Sequence, residues 1–229
     1  MELSERLKTV ASFVRTSRTI ADIGTDHGYI PIYLYGEGMI DSAIACDINK
    51  EPVRRAECNI NAYRMGKHIE TRLGSGLEPI KKGETEGAVI AGMGGMLIID
   101  ILDECREKTR ALKELVLQPQ TDIDKVRRYL HSVSFRIDDE KMLLEDGIYY
   151  TVIRAVPGRE SYDSEADYLF GRINIERKSP ALKGWLEKTI AKNKTIMKKL
   201  KEAGTDNSAA RLEKLEKYQQ ICGEVYKCL

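Results

Sequence analysis

The sequence predicts an α/β protein: a doubly wound, mostly parallel sheet that ends in an antiparallel strand pair, followed by a C-terminal antiparallel helical hairpin. Three observations lead there. From residue 1 to about 157, short apolar runs alternate with segments of helical period, the mark of βαβ units with right-handed crossovers. Asp146-Gly147 separates two strand-like stretches, a hairpin signal. Beyond Pro157-Gly158 the pattern changes to two long helical segments, separated by the turn-forming cluster Gly204-Thr205-Asp206-Asn207.

Each element has its own warrant. Leu3, Leu7, Val10, Ala11 and Val14 recur at helical spacing behind Ser4, a good N-cap. Thr19–Ile23 reads as the first strand, ending at Gly24, and Gly28 opens a helix over 29–35 with Pro31 in its first turn. A second strand over 42–46 leads to Asp47, a helix covers 50–65, and Ile69–Leu73 is the third strand. The run 87–91 is apolar enough for burial on both faces. A helix over 97–105, a strand over 114–117 and a helix over 122–131 follow. Residues 135–144 and 149–156 form the closing hairpin. In the C-terminal helices, Pro180–Ala203 and 208–228, the seams are Leu182, Trp185, Leu186, Ile190, Ile196, Met197 and Leu200 against Leu212, Leu215, Tyr218, Ile221, Cys222 and Val225.

A chain of 229 residues accommodates one full α/β domain, expected over 1–158, and a smaller helical one over 159–229. The net charge of +1 says nothing of partners, but its distribution does. Residues 180–229 hold eleven Lys/Arg against six Asp/Glu, an excess of five, and leave the remainder mildly acidic. Arg15 and Arg18 are expected to extend this cationic surface towards the site. The five cysteines are scattered, none as CxxC, and the three histidines are dispersed, so no disulfide framework or metal site is expected. No apolar run reaches the roughly 18 residues of a membrane helix, and the N-terminus lacks a signal-peptide pattern. A cytoplasmic, monomeric protein is expected.

The chemistry concentrates in residues 21–28, Ala-Asp-Ile-Gly-Thr-Asp-His-Gly, between the first strand and the helix after it. Gly24 permits a tight turn and keeps side chains out of a ligand's path. Ligands of open α/β sheets bind beyond the carboxyl ends of the strands, at the topological switch. Asp22 therefore sits where it can accept from a ligand's ammonium group, and Asp47-Ile48 where a carboxylate can hold ribose hydroxyls. A dinucleotide is disfavoured. The loop lacks the three glycines of GxGxxG, and Asp26, between Gly24 and Gly28, would repel a pyrophosphate. The same carboxylate is compatible with a sulfonium and an amino-acid zwitterion, which points to S-adenosylmethionine (SAM) as cofactor. Ser75 and Gly76 follow the third strand, where such enzymes flank the cofactor's adenine, although a plain turn explains Gly74 and Gly76 equally well. Gly92 and Met93, in Ala-Gly-Met-Gly-Gly after the fourth strand, bring bare backbone near the reacting atoms. The Asn/Asp-Pro-Pro-aromatic motif of enzymes that methylate exocyclic amines is absent, so a ring nitrogen is the favoured target.

Together ADIGTDHGYIPIYL, ACDIN, RLGSGL, AGMGG and LQPQ resemble the bacterial tRNA adenine-N1 methyltransferase family that modifies position 22 of tRNA, the TrmK family. The resemblance implies a seven-stranded Rossmann-like methyltransferase fold with a coiled-coil-like hairpin as a tRNA-binding arm. It places SAM against Asp22, Gly24, Gly28, Asp47, Ile48, Ser75, Gly76, Gly92 and Met93. Ser75 departs from the acidic residue expected there. Adenine N1 carries an in-plane lone pair, so transfer needs placement more than a strong base. Asp26 and His27 are the catalytic candidates, a carboxylate near N6 offsetting the developing ring charge. Asp26 has a second reading, as a cap of the following helix. The target base must leave its stack, and Met93, Met96 and Tyr29 are packing surfaces for it or ordinary core. The lysines of the hairpin suit phosphate contact or a solvated face. Two rivals stay open: a methyltransferase of this fold acting on another RNA base or a small molecule, and a SAM-binding regulator that dimerises through its hairpin.

Overall fold

Seven strands build one sheet: β1 Thr19–Ile23, β2 Ser42–Asp47, β3 Ile69–Leu73, β4 Gly87–Met93, β5 Glu114–Pro119, β6 Phe135–Glu145 and β7 Ile148–Pro157. Their order is β3-β2-β1-β4-β5-β7-β6 in the computed structural model, which describes residues 2–203 and 205–229. β1 to β5 run parallel and β7 returns antiparallel to β5. The central strands are buried on both faces, as parallel strands between helical layers must be. The topological switch lies between β1 and β4, where Ile23 pairs with Ile90.

The helices of this part are α1 Glu5–Ser12, α2 Tyr29–Gly36, α3 Lys50–Ala62, α4 Gly95–Glu104, α5 Arg106–Thr109 and α6 Ile123–Ser132. Ser4 caps α1, its hydroxyl accepting from the Leu7 N–H at 3.4 Å. α3 stops at Ala62 rather than continuing to Met65. Arg64 turns left-handed (φ 59°), and the Met65 N–H returns to the Ile60 carbonyl, closing the helix. α4 begins two residues earlier than expected, because the Gly95 N–H donates to the Thr121 carbonyl. Asp146 and Gly147 both have positive φ (50° and 80°), the requirement of the tight hairpin their sequence suggests.

Arg15 and Arg18 do not extend a surface towards the carboxyl ends of the strands. They precede β1 at its amino end, about 16 Å away along a five-residue strand. Arg15 pairs with Asp139 at 2.6 Å, and Arg18 pairs with Asp41 and donates to the carbonyls of Gly38 and Met39. Beside them the buried Glu114 accepts from the N–H groups of Arg15, Thr16 and Ser17 and from Arg154. This network anchors the amino-end edge.

The chain forms two compact units. One comprises the residues up to Glu140 with Tyr150–Ser161, the other Lys141–Tyr149 with Tyr162–Leu229. The tip of the β6–β7 hairpin therefore groups with the C-terminal helices. In this second unit a π-helical turn, Asp167–Gly171, runs into α7 Arg172–Glu176, both absent from the sequence-based reading. α8 Pro180–Ala203 and α9 Asp206–Cys228 pack antiparallel. Gln219 reaches the Ile190 carbonyl and Tyr226 the Glu187 carboxylate, so later residues of one helix meet earlier residues of the other. Met142, Phe170, Leu182, Leu186, Cys222 and Val225 form the core at the base. Towards the turn Ile196, Met197, Leu200, Leu212 and Leu215 are only half-buried, and Asn193 and Ser208 are buried instead. α9 starts at Asp206, capped by a reciprocal bond pair between Thr205 and Ser208; Gly204 of the expected turn cluster lies outside the described residues.

Candidate active site

A cleft of about 350 Å³ opens at the carboxyl ends of β1 and β4, a volume in the range of small-molecule sites. Asp22, Gly24, Thr25, Asp26, His27, Gly28 and Tyr29 line one side, Ala91 and Gly92 the floor, and Arg6 and Gln120 the far wall. Its loops are pinned by backbone hydrogen bonds. The Gly24 and Thr25 N–H groups both donate to the Cys46 carbonyl at the end of β2, at 2.8 and 2.9 Å. The Gln120 N–H donates to the Met93 carbonyl at 2.8 Å. A second hollow of similar size, at the amino ends of β1 to β3, lies where open α/β sheets do not bind ligands.

Asp22 is buried at the end of β1. Burial pushes its carboxyl up to about 6; the neighbouring Thr25 hydroxyl pulls it back, and the Asp47 carboxylate adds repulsion. Asp26 is exposed and makes no helix cap. α2 is preceded by Gly28 in a left-handed conformation with no side-chain cap. The Asp26 carboxylate instead pairs with Arg55 of α3 and lies 3.3 Å from His27 Nε2. His27 stacks on Tyr29, with ring centroids 4.9 Å apart and planes 10° from parallel. Asn59 Nδ2 donates to the His27 carbonyl and holds the loop.

The residues singled out in the sequence fall into two groups. Asp22, Gly24, Asp26, His27, Gly28 and Gly92 share the cleft. Asp47, Ile48, Ser75 and Gly76 lie at the neighbouring ends of β2 and β3, where the Gly74 N–H donates to the Asp47 carbonyl. There Asp47 accepts from the Asn49 N–H at 2.7 Å, and Ile48 is exposed. Met93 packs its methyl over Gly24, in the space a Cβ there would need. The glycines differ in what they serve. Gly92 (φ 82°) leaves the cleft bare and Gly24 (φ 75°) makes room for Met93, while a Cβ on Gly76 would meet Ile101 and one on Gly95 the Thr121 carbonyl. Arg6, Arg55 and Gln120 escaped the sequence reading. Arg6 and Arg55 reach the site only through helix packing, and Gln120 carried no signal beyond its place in LQPQ.

Comparison with known proteins fits this geometry. Residues 3–153 match the methyltransferase-domain family. A tRNA (adenine(22)-N(1))-methyltransferase of Bacillus subtilis (strain 168) is 33% identical over 98% of this chain and 97% of its own length. The chain belongs to this methyltransferase family. A Streptococcus pneumoniae protein solved in complex with S-adenosyl-L-methionine superposes with a TM-score of 0.85 at 32% identity, over 98% of this chain and 100% of that one. The M. capricolum TrmK in complex with S-adenosyl-homocysteine (SAH) superposes with a TM-score of 0.86 at 26% identity, over 100% and 99%.

The cleft of this methyltransferase suits SAM. Bare backbone at Gly92 admits a ligand, and the buried carboxyl of Asp22 favours one that carries positive charge. Among the described residues no group of three or more His, Cys, Asp or Glu could hold a metal ion. No described helix is long and apolar enough to cross a membrane.

Asp22→Asn tests the electrostatic reading. The wild-type carboxyl titrates near 6 when folded, above its unfolded value, so its ionised form opposes folding above pH 6. The variant should be more stable at pH 7.5 by up to about 3 kcal/mol. This advantage should fade as the pH falls through 6 towards 4. SAM binding should be lost at the same time. An unchanged melting temperature with retained SAM affinity would contradict the assignment.

Proposed function

We propose that this chain methylates N1 of adenine 22 in tRNA, with SAM as methyl donor. The observation that carries the reading is the likeness to a relative of that activity along 98% of the chain, helical hairpin included. The cleft supplies the chemistry. Bound SAM offers an electrophilic methyl group on a sulfonium. Asp22 takes its ammonium end, Asp47 and Ile48 its ribose, and Ser75 and Gly76 flank its adenine, while Gly24, Gly28, Gly92 and Met93 shape the bed. The target adenine needs no strong base, because its N1 lone pair is already free. Its ring gains positive charge as the N1–carbon bond forms and the methyl–sulfur bond breaks, leaving SAH, and the charge persists until N6 loses a proton to solvent. Asp26, held by Arg55 and His27, accepts from N6–H and offsets that charge. The parallel His27–Tyr29 ring pair offers a surface on which an extruded base can lie.

The second unit acts as the arm that holds the RNA backbone. Lys194, Lys198 and Lys199 of α8 are exposed and form no ion pair among the described residues, whereas Lys201 and Lys217 pair with Glu216 and Glu213. Such lysines suit phosphate contact rather than base reading. The enzyme works as a monomer in the cytoplasm, where its substrate is.

The direct test combines enzyme, SAM and unmodified tRNA, followed by digestion and mapping of the methylated nucleoside by mass. 1-Methyladenosine at position 22 is expected; methyl at another base, or in no RNA, would refute the reading. In the same assay Asp26→Ala should slow transfer roughly a hundredfold while SAM still binds. For the arm, replacing Lys194, Lys198 and Lys199 by alanine should weaken tRNA binding and reduce the slope of log affinity against log salt by about 2 to 3. An unchanged slope would remove these lysines from the RNA interface.

A further inference from the structure

The segment Gln118-Pro119-Gln120 closes β5 and sends its two glutamines to different duties. Gln118 is fully buried. Its Oε1 accepts from Arg6 Nη1 at 2.8 Å and its Nε2 reaches the Pro119 carbonyl at 3.4 Å, so the wall of the cleft uses this amide up. Gln120 is exposed on the rim, its backbone tied to Met93, and its carboxamide has no hydrogen-bond partner among the described residues. Gly92 shows where that carboxamide points. A Cβ placed on Gly92 would stand 4.0 Å from Gln120 Nε2 and 3.9 Å from Arg6 Nη1. The amide therefore hangs over the bare floor of the cleft. Beside it Arg6 is steadied by Gln118 and by the face of Tyr150, 5.4 Å from the ring centroid.

A base methylated on N1 must turn its Watson–Crick edge towards the methyl donor. That leaves the N6–H and N7 of adenine for recognition. A carboxamide donates and accepts in one fork, which matches this pair. Guanine presents two acceptors, O6 and N7, so either orientation of the amide leaves an acceptor facing an acceptor. Asp26 cannot supply this fork, being acceptor-only when ionised; it takes the N6–H on the N1 side and leaves the one on the N7 side. We propose that Gln120 is the specificity-determining residue of the site, its Oε1 accepting from N6–H and its Nε2 donating to N7 of the target adenine. The proposal rests on the adenine-N1 reading above and names the group that selects the base.

The test pairs a protein change with a base change. Wild type and Gln120→Ala are each given tRNA with adenine or 7-deazaadenine at position 22. Single-turnover transfer at saturating SAM is measured, together with tRNA affinity in the presence of SAH. An exposed side chain is removed, so the fold is retained. On natural tRNA, Gln120→Ala should slow transfer roughly 10- to 100-fold and leave SAM affinity unchanged. Loss of N7 should weaken binding and slow transfer for the wild type and have little effect on the variant. If loss of N7 affects both enzymes by the same factor, Gln120 does not read that edge and the proposal is overturned. A wild type that puts no methyl on natural adenine 22 would fail differently, by refuting the methylation reading itself.

Discussion

The cleft depends on a buried carboxyl held without a cation of its own. Asp22 is the last residue but one of β1, at the point where the strand order reverses, close enough to Asp47 to be repelled by it. An ionised carboxylate in such a place costs stability unless a partner arrives. Among the described residues no lysine or arginine pairs with it; Arg55 goes to Asp26 and Arg72 to Glu70 and Glu84. In the proposed function, the counter-charge comes from a ligand with an ammonium and a sulfonium. On that proposal, stability is given up locally so that binding can be selective, as is common at functional sites.

That arrangement survives because the surrounding loops have little freedom. Gly24, Thr25, Gly74, Gly95 and Gln120 each donate a backbone N–H to a carbonyl of a neighbouring strand end or loop. At the opposite edge Glu114 gathers the backbone before β1 and the Arg154 guanidinium of β7. There burial pushes the Glu114 carboxyl up, yet the hydrogen bonds from Ser17, Thr16 and Arg15 outweigh it and leave its pKa lowered. The two carboxyls differ under burial: Glu114 is satisfied internally and braces the sheet, its pKa lowered, while that of Asp22 is raised.

Much of this was legible in the amino-acid sequence, for identifiable reasons. The strands are short apolar runs punctuated by glycine, and the Asp146-Gly147 turn names its own geometry. The residues 22–28 are contiguous, so a strand end and a turn suffice to place Asp22, Gly24, Asp26 and His27 together. Other features depend on packing that no local pattern encodes. Arg6 meets Gln118 across 112 positions of chain, and Arg55 meets Asp26 because α3 lies beside the loop. A glycine that clears a path for a ligand looks the same in sequence as one that lets a helix approach. Gly76 and Gly95 pack against Ile101 and Thr121, while Gly92 faces the cleft. The π-helical turn Asp167–Gly171 has no compositional signal at all.

If a cationic cofactor completes Asp22, its binding must be coupled to that carboxyl's proton. Calorimetric titration of SAM into the purified chain, repeated from pH 8 to pH 5 in buffers of different ionisation heat, measures the coupling directly. Below pH 7, where the cofactor's α-amine is a cation, affinity should be constant to about pH 6.5, then fall by about tenfold per unit below pH 6, with proton release rising towards one per SAM. Affinity that stays level to pH 5 with no proton released, or no binding heat with either SAM or SAH, would contradict the assignment of Asp22 as the cation's partner.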